Sequence, residues 1–367
     1  MRKASVGIIG CGNISTAYLK AAQRFDNLQV TACADLDLAR AKSKAAEFEI
    51  PTACSPEHLV RRDDVDIVLN LTIPAARADV ALAALDAGKH VYGEKPLACS
   101  LADGRKIKAL AANKQLRVGC APDTFLGGGL QTCRKLIDDG WIGQPIAACA
   151  FMTNHGVESW HPSPDFYYQP GGGPMMDMGP YYLAALVSIL GPARRVCGSA
   201  RITFPERIIT SQAHYGRVIP VSTPTHVAGT IDFACGAIVS VLMSFDIWGA
   251  DLPWIEIYGT SGSLKTPDPN TFGGVVQVRR AGATTWSPVP LTHGYVDNWR
   301  GLGLADMAAA LASGRPHRAS GELALHVLEA INAFLESSAD KRYITLQSAV
   351  ERPAPLPMNL RDGQIDP

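Results

Sequence analysis

Val6-Gly7-Ile8-Ile9-Gly10-Cys11-Gly12-Asn13-Ile14-Ser15 is a β-branched run that breaks into two glycines and then into a helical pattern. Residues 6–9 read as a strand and residues 14–25 as a helix. Between them, Gly10 permits a tight turn. Gly12 lets the backbone approach a diphosphate resting on the helix N-terminus. Ser15 stands where the pattern G-x-G-x-x-G has its third glycine, and it is small enough for close helix–strand packing. The second predicted strand, residues 28–34, ends at Asp35, 23 residues after Gly12. A carboxylate there accepts hydrogen bonds from adenosine ribose hydroxyls and repels a 2′-phosphate. Two glycines alone are a weak signal. With a strand before them, a helix after them and a carboxylate at this distance, they form a dinucleotide-binding fingerprint.

The pattern continues outward from this unit. A helix is predicted over 38–48, a strand over 65–71, a helix over 76–87 ending at Gly88, a strand over 90–92, a helix over 101–113 and a strand over 117–120. Such alternation predicts a doubly wound parallel sheet, a Rossmann domain occupying residues 1–122. From residue 123 the texture changes. Helices are predicted over 129–138 and 175–190, and later over 302–311 and 323–337. Strands are predicted over 146–152, 195–204, 254–258 and 275–279. Two more, 227–233 and 239–245, alternate apolar residues on either side of Cys235-Gly236, as a hairpin does. Residues 123–367 therefore read as an α+β domain on a mostly antiparallel sheet, and the whole chain as α/β. The apolar faces of the hairpin strands exceed what one helix layer must cover, which points to a homodimer or homotetramer assembled through the second domain.

Bulk properties narrow the function. Lys+Arg and Asp+Glu are both 34, so the net charge is zero. This argues against a nucleic-acid or membrane-surface binder. The nine cysteines are odd in number and include no C-x-x-C pair, the usage of free thiols in a reducing compartment. The opening apolar run is too short for a signal peptide, and no stretch is long enough to span a membrane, so a cytoplasmic protein is expected. No G-x-x-x-x-G-K-[ST], H-E-x-x-H or G-x-S-x-G occurs, and the histidines are scattered, so no catalytic metal is expected.

Gly88-Lys89-His90-Val91-Tyr92-Gly93-Glu94-Lys95-Pro96-Leu97 is the most specific stretch. Together with residues 7–14, with Gly171-Gly172-Gly173-Pro174-Met175-Met176-Asp177-Met178-Gly179 and with Ile257-Tyr258-Gly259-Thr260-Ser261-Gly262, it resembles the glucose–fructose oxidoreductase / inositol dehydrogenase / rhizopine catabolism (Gfo/Idh/MocA) family. The resemblance implies a Rossmann domain followed by an open-faced sheet, with the site at the C-terminal ends of the parallel strands. It implies NAD held by Gly10, Gly12, Asn13, Ile14, Asp35, Thr72, Pro74, Glu94 and Lys95, while Arg40 beside Asp35 leaves NADP open. It places Lys95 between nicotinamide ribose and substrate hydroxyl, before a cis Pro96. Relatives often carry His where this chain has Arg77, which puts a cofactor contact there in doubt.

Asp177 and Tyr181 are four apart on a predicted helix, so both face one substrate. Many relatives have Asp and, four residues on, His; this chain has Tyr. A phenol is a poor base at neutral pH, but a neighbouring Lys95 ammonium lowers its pKa. Lys95, Asp177 and Tyr181 are therefore the expected catalytic group, with His161 as competitor for the proton. Beyond them, Trp160, His161, Asp165, Tyr167, Tyr168 and Gln169 on the loop leading into the glycine-rich segment, and the cluster Asp297-Asn298-Trp299-Arg300, offer aromatic faces and polar groups suited to a carbohydrate ring. The expected activity is NAD(P)-dependent dehydrogenation of a CH–OH group in a sugar, polyol or glycoside. The alternatives are an NAD-dependent glycosidase with transient redox of its bound cofactor and a non-catalytic NAD-linked sensor.

Overall fold

In the computed structural model, which describes residues 3–366, β1 (Ala4–Ile9) lies inside a six-stranded parallel sheet. The expected domain limits at 1 and 367 lie outside the described residues. The other strands are β2 (Leu28–Ala34), β3 (Thr52–Cys54), β4 (Ile67–Asn70), β5 (His90–Gly93) and β6 (Val118–Cys120), in the order β3-β2-β1-β4-β5-β6. Between them run α1 (Asn13–Ala22), α2 (Leu38–Glu47), α3 (Pro56–Val60), α4 (Pro74–Asp86) and α5 (Leu101–Asn113). Val6, Ile8, Ile67, Val68 and Leu69 are all essentially inaccessible. Helices on both faces require this, and it is why these strands read as solid apolar runs. The order turns back between β1 and β4, and a crevice opens at their C-terminal ends. The sequence reading omits β3, whose three residues are too few to show a period.

After β6 come α6 (Gly128–Asp138), β7 (Pro145–Thr153), α7 (Pro174–Asp177), α8 (Gly179–Leu190), β8 (Ala193–Arg201), β9 (Glu206–Ile208) and β10 (Val218–Pro220). There follow β11 (His226–Phe233), β12 (Ile238–Ser244), β13 (Ile255–Gly259), β14 (Gly262–Lys265), β15 (Val276–Arg280), β16 (Ser287–Val289), α9 (Leu302–Ser313), α10 (Gly321–Asp340) and β17 (Ile344–Thr345). Nine of these strands form one sheet, ordered β16-β15-β14-β13-β7-β12-β11-β8-β17, in which β7 and β12 run parallel and the other pairs antiparallel.

Three expectations change. The helix predicted over 175–190 is two helices, because Pro180 has no N–H to continue the ladder across Met178. The strand predicted over 195–204 ends at Arg201. The apolar alternation of β11 and β12 is not left over for a partner: Val227, Ile231, Val239 and Met243 are fully buried under the chain's own helices, α10 over β8 and β11 and α7 over β11 and β12. The opposite face carries half-buried Ala228, Thr230 and Leu242 and exposed Ser240.

The two halves interlock rather than meeting at one cut. α9 packs against β6, Cys120 N–H donates to Ala319 O (3.1 Å), and Asn27 Nδ2 donates to Ala305 O (2.8 Å). The cleft between the halves therefore has walls from both. No helix among the described residues is long and apolar enough to cross a membrane.

Candidate active site

Gly10 ends β1 with φ +102, and a Cβ there would stand 2.8 Å from the carbonyl carbon of Leu71. Only glycine fits this turn. Gly12 is the N-cap of α1 and makes no side-chain cap, and a Cβ on it would meet nothing within 4 Å. The helix thus begins with unsatisfied N–H groups over open space, a ready anion cradle. Asp35 stands beside it. Its carboxylate accepts from Cys11 N–H (2.8 Å) and Asp37 N–H (3.0 Å), and Arg40 lies 3.5 Å away. Asp35 therefore also ties the glycine loop to the end of β2.

On the β4 side, Thr72 donates its hydroxyl to Asn70 Oδ1 (2.6 Å) and Pro74 starts α4. Arg77, at the position in doubt, is buried. Its guanidinium donates to Pro96 O (3.0 Å) and Thr72 O (2.8 Å), so it clamps the two loops that flank the crevice. Gly12, Asn13, Ile14, Thr72, Pro74, Glu94 and Lys95 all line one cleft of about 360 Å³. These groups fit a dinucleotide laid from α1 toward Lys95.

The Lys95–Pro96 bond is cis. Lys95 Nζ donates to Asp177 Oδ1 (2.7 Å) and to Asp177 O (2.6 Å), and it lies 5.0 Å from the centre of the Tyr181 ring. Behind it, Glu94 accepts from Tyr18 O–H (2.9 Å) and from Lys95 N–H (3.0 Å). Burial pushes the Lys95 ammonium toward neutrality, but Asp177, Tyr181 and Glu94 outweigh it and the net direction is up. Lys95 is therefore a fixed cation. Tyr181 departs from expectation. Burial raises its hydroxyl above the ordinary phenol value, and the opposing pull of the Lys95 and Arg300 charges is the smaller effect. Tyr181 is thus a protonated phenol at neutral pH in this structure.

The structure separates the remaining candidates. Asp177 and Tyr181 come together although no single helix carries both, because the joint at Met178 turns both toward Lys95. Arg300 approaches Tyr181 and is held by Asn270 Oδ1 (2.8 Å). Its neighbour Trp299 does not reach the cleft: it is 1% exposed, against Phe25 and Tyr295 and under the Arg24 guanidinium (3.3 Å). Tyr168 is also buried. Its hydroxyl donates to Glu158, which receives Arg207 (3.0 Å), and Arg207 in turn pairs with Asp246. Asp165 is spent on a surface pair with Arg217 (2.6 Å). Trp160 is exposed, and His161 lies between it and the cleft. The cleft wall is instead made by Phe166, which stands outside the expected set, by Tyr167, which belongs to it, and by Met176. Asp123 was missed as well. It accepts from Gly301 N–H (2.8 Å) and Gly303 N–H (3.0 Å), and burial raises its carboxyl to about 6.

Comparison with known proteins agrees with this architecture. Residues 4–121 match the family profile of the GFO/IDH/MocA oxidoreductases, described as an oxidoreductase family with an NAD-binding Rossmann fold, and residues 130–265 match the GFO/IDH/MocA C-terminal domain. The chain is 28% identical over 291 residues to 1,5-anhydro-D-fructose reductase of Ensifer adhaerens, covering 78% of this chain and 82% of that one. It is 32% identical over 197 residues to dTDP-3,4-didehydro-2,6-dideoxy-alpha-D-glucose 3-reductase of Saccharopolyspora spinosa, covering 52% of this chain and just 58% of that reductase. An NAD binding oxidoreductase from Klebsiella pneumoniae shares the fold, with TM-score 0.83 and 22% identity over 95% of this chain and 100% of that one.

Proposed function

The chain belongs to the Gfo/Idh/MocA oxidoreductase family, and from that premise we propose that it is an NAD-dependent dehydrogenase or reductase acting at one CH–OH carbon of a sugar, polyol or glycoside. The observation that carries the reading is the Lys95 ammonium, fixed by Asp177 beside the Tyr181 ring at the end of a cleft that begins at the glycine loop. NAD, when bound, supplies the redox partner for the carbinol carbon.

The residues of the chain do the rest. Lys95 faces the reacting oxygen and stabilises negative charge developing there. Tyr181 exchanges the hydroxyl proton. Asp177 fixes the Lys95 ammonium and orients a neighbouring substrate hydroxyl. The Arg300 charge beside Tyr181 favours its deprotonated form. The Asp35 carboxylate disfavours a 2′-phosphate, so NAD is the preferred cofactor. The working form is a cytoplasmic homodimer or homotetramer, for which the open face of the nine-stranded sheet is the surface left.

A panel of sugars, polyols and glycosides with NAD and NADP, followed at 340 nm, tests the reading. Net NADH formation from at least one of them is the expected result. Release of free sugar from a glycoside without net NADH would turn the reading to a glycosidase. NAD binding with an inert panel would turn it to a sensor.

A further inference from the structure

The cleft does not end at Lys95. Phe166 and Tyr167 form its outer wall, and from them a run of rings leads out over the surface. The Phe166 and Tyr167 rings are 4.1 Å apart; His161 stands edge-on 5.1 Å from Tyr167 and 5.7 Å from Phe166; Trp160 is 5.4 Å from His161. Tyr167 and His161 are half-buried, Phe166 is 47% exposed, and Trp160 at the far end is 64% exposed.

The rings are not on a slack loop. Trp160 N–H and His161 N–H both donate to Val157 O (3.2 and 2.9 Å), Ser211 Oγ donates to His161 O (3.0 Å), and the buried Tyr168–Glu158–Arg207 chain lies beneath. His161 Nδ1 accepts from Ser163 N–H (3.0 Å). That assigns its proton to Nε2, a donor that no hydrogen bond within the described residues uses. Residues 160–168 read Trp-His-Pro-Ser-Pro-Asp-Phe-Tyr-Tyr, with no Leu, Ile, Val or Met. Aromatic faces, a free N–H and no aliphatic side chain suit a ring whose C–H face stacks and whose hydroxyls need partners. A protein partner would call for a broader apolar core.

We propose that Trp160 and His161, reached over Phe166, form a second sugar subsite that takes the distal pyranose of a disaccharide while the first ring reacts at Lys95. Trp160 stacks on that ring and His161 Nε2–H donates to one of its hydroxyls. The proposal rests on Lys95 and Tyr181 being the reacting centre.

The test compares kcat/KM in the NAD-loaded protein for glucose against maltose and cellobiose, and for galactose against lactose. At least one disaccharide should exceed its parent sugar by roughly tenfold. Trp160→Ala should cut that ratio by about three- to tenfold, the range of one aromatic contact, through KM. Trp160→Phe should restore most of it. A ratio unmoved by Trp160→Ala, or exclusion of every disaccharide while a parent sugar reacts, would overturn the proposal. So would dissociation of an oligomer by Trp160→Ala in light scattering, which would make the rings a subunit contact. If none of these sugars reacts, calorimetry of maltose and cellobiose against the NADH-loaded protein decides. Binding that Trp160→Ala weakens supports the subsite and moves the failure to the chemistry at Tyr181; no binding of either overturns it.

Discussion

Tyr181→Phe removes one oxygen from the site and little else. The ring is 7% exposed and packs 5.0 Å from the Lys95 ammonium, so phenylalanine keeps both the volume and the cation–ring contact. A positioned acid–base group is worth roughly 10²–10⁴ in rate, about 2.7–5.5 kcal/mol of barrier. The variant should therefore lose that factor in kcat. Its NAD affinity should change by less than about twofold, because the glycine loop and Asp35 lie at the other end of the cleft. The pH dependence is the sharper test. Burial holds the hydroxyl above its ordinary value, with Lys95 and Arg300 pulling it back only in part. Oxidation of an alcohol needs the deprotonated phenol, so its rate should rise with pH through the neutral range, by up to about tenfold per unit. Reduction of the ketone needs the phenol as acid and should stay nearly flat over the same range. Initial rates at 340 nm in both directions, between about pH 6.5 and 9.5, read this directly. Lys95→Ala should be at least as damaging, and the double variant should lose less than the product of the two single losses, since both residues act on one proton. A Tyr181→Phe enzyme within about threefold of wild type, or one that keeps the alkaline rise, would refute the assignment; a crippled His161→Ala beside it would move the base to the loop.

Asp177→Ala should lower stability by about 2–4 kcal/mol, read as a fall in Tm. It strands the Lys95 ammonium, and the figure is discounted because the two side chains are still 15% and 20% exposed. Asp177→Asn, which keeps an acceptor, should cost less. Wild type should use NAD with at least about tenfold higher kcat/KM than NADP, and Asp35→Asn should narrow the gap; a native preference for NADP would show that Asp35 serves only to tie Cys11 N–H to β2. Asp123 has its folded-state carboxyl raised to about 6, so the protonated form is the stable one and stability from this group falls as pH rises from about 4 to 6, then stays level. Asp123→Asn should flatten that limb of a Tm-against-pH curve, and an unchanged limb would assign it to other groups.

What the sequence made legible is what local chemistry dictates. The turn at Gly10 must be glycine because the Leu71 backbone leaves no room for a Cβ, and that requirement shows as a pattern between a strand and a helix. Lys95 is legible for a similar reason, through the Glu-Lys-Pro run that follows β5. Where the reading failed, the deciding force was tertiary. Gly179-Pro180 signals the break at Met178, but the apolar residues around it continue a helical period and mask it. Tyr167 and Tyr168 are adjacent in a 3-10 turn, and only the three-dimensional position of Glu158, Arg207 and Asp246 sends one to the cleft and the other into the core. Arg207 pairs with acids 49 residues before it and 39 after it, and no spacing rule reaches that far. Trp299 and Arg300 divide in the same way, one stacked under Arg24 to join the two halves, the other turned to Tyr181. A sequence names the residue types a carbohydrate site needs. Which of two neighbours serves it is fixed by the buried ion pairs that anchor the loop, and these are the contacts a substitution must spare if it is to report on chemistry rather than on folding.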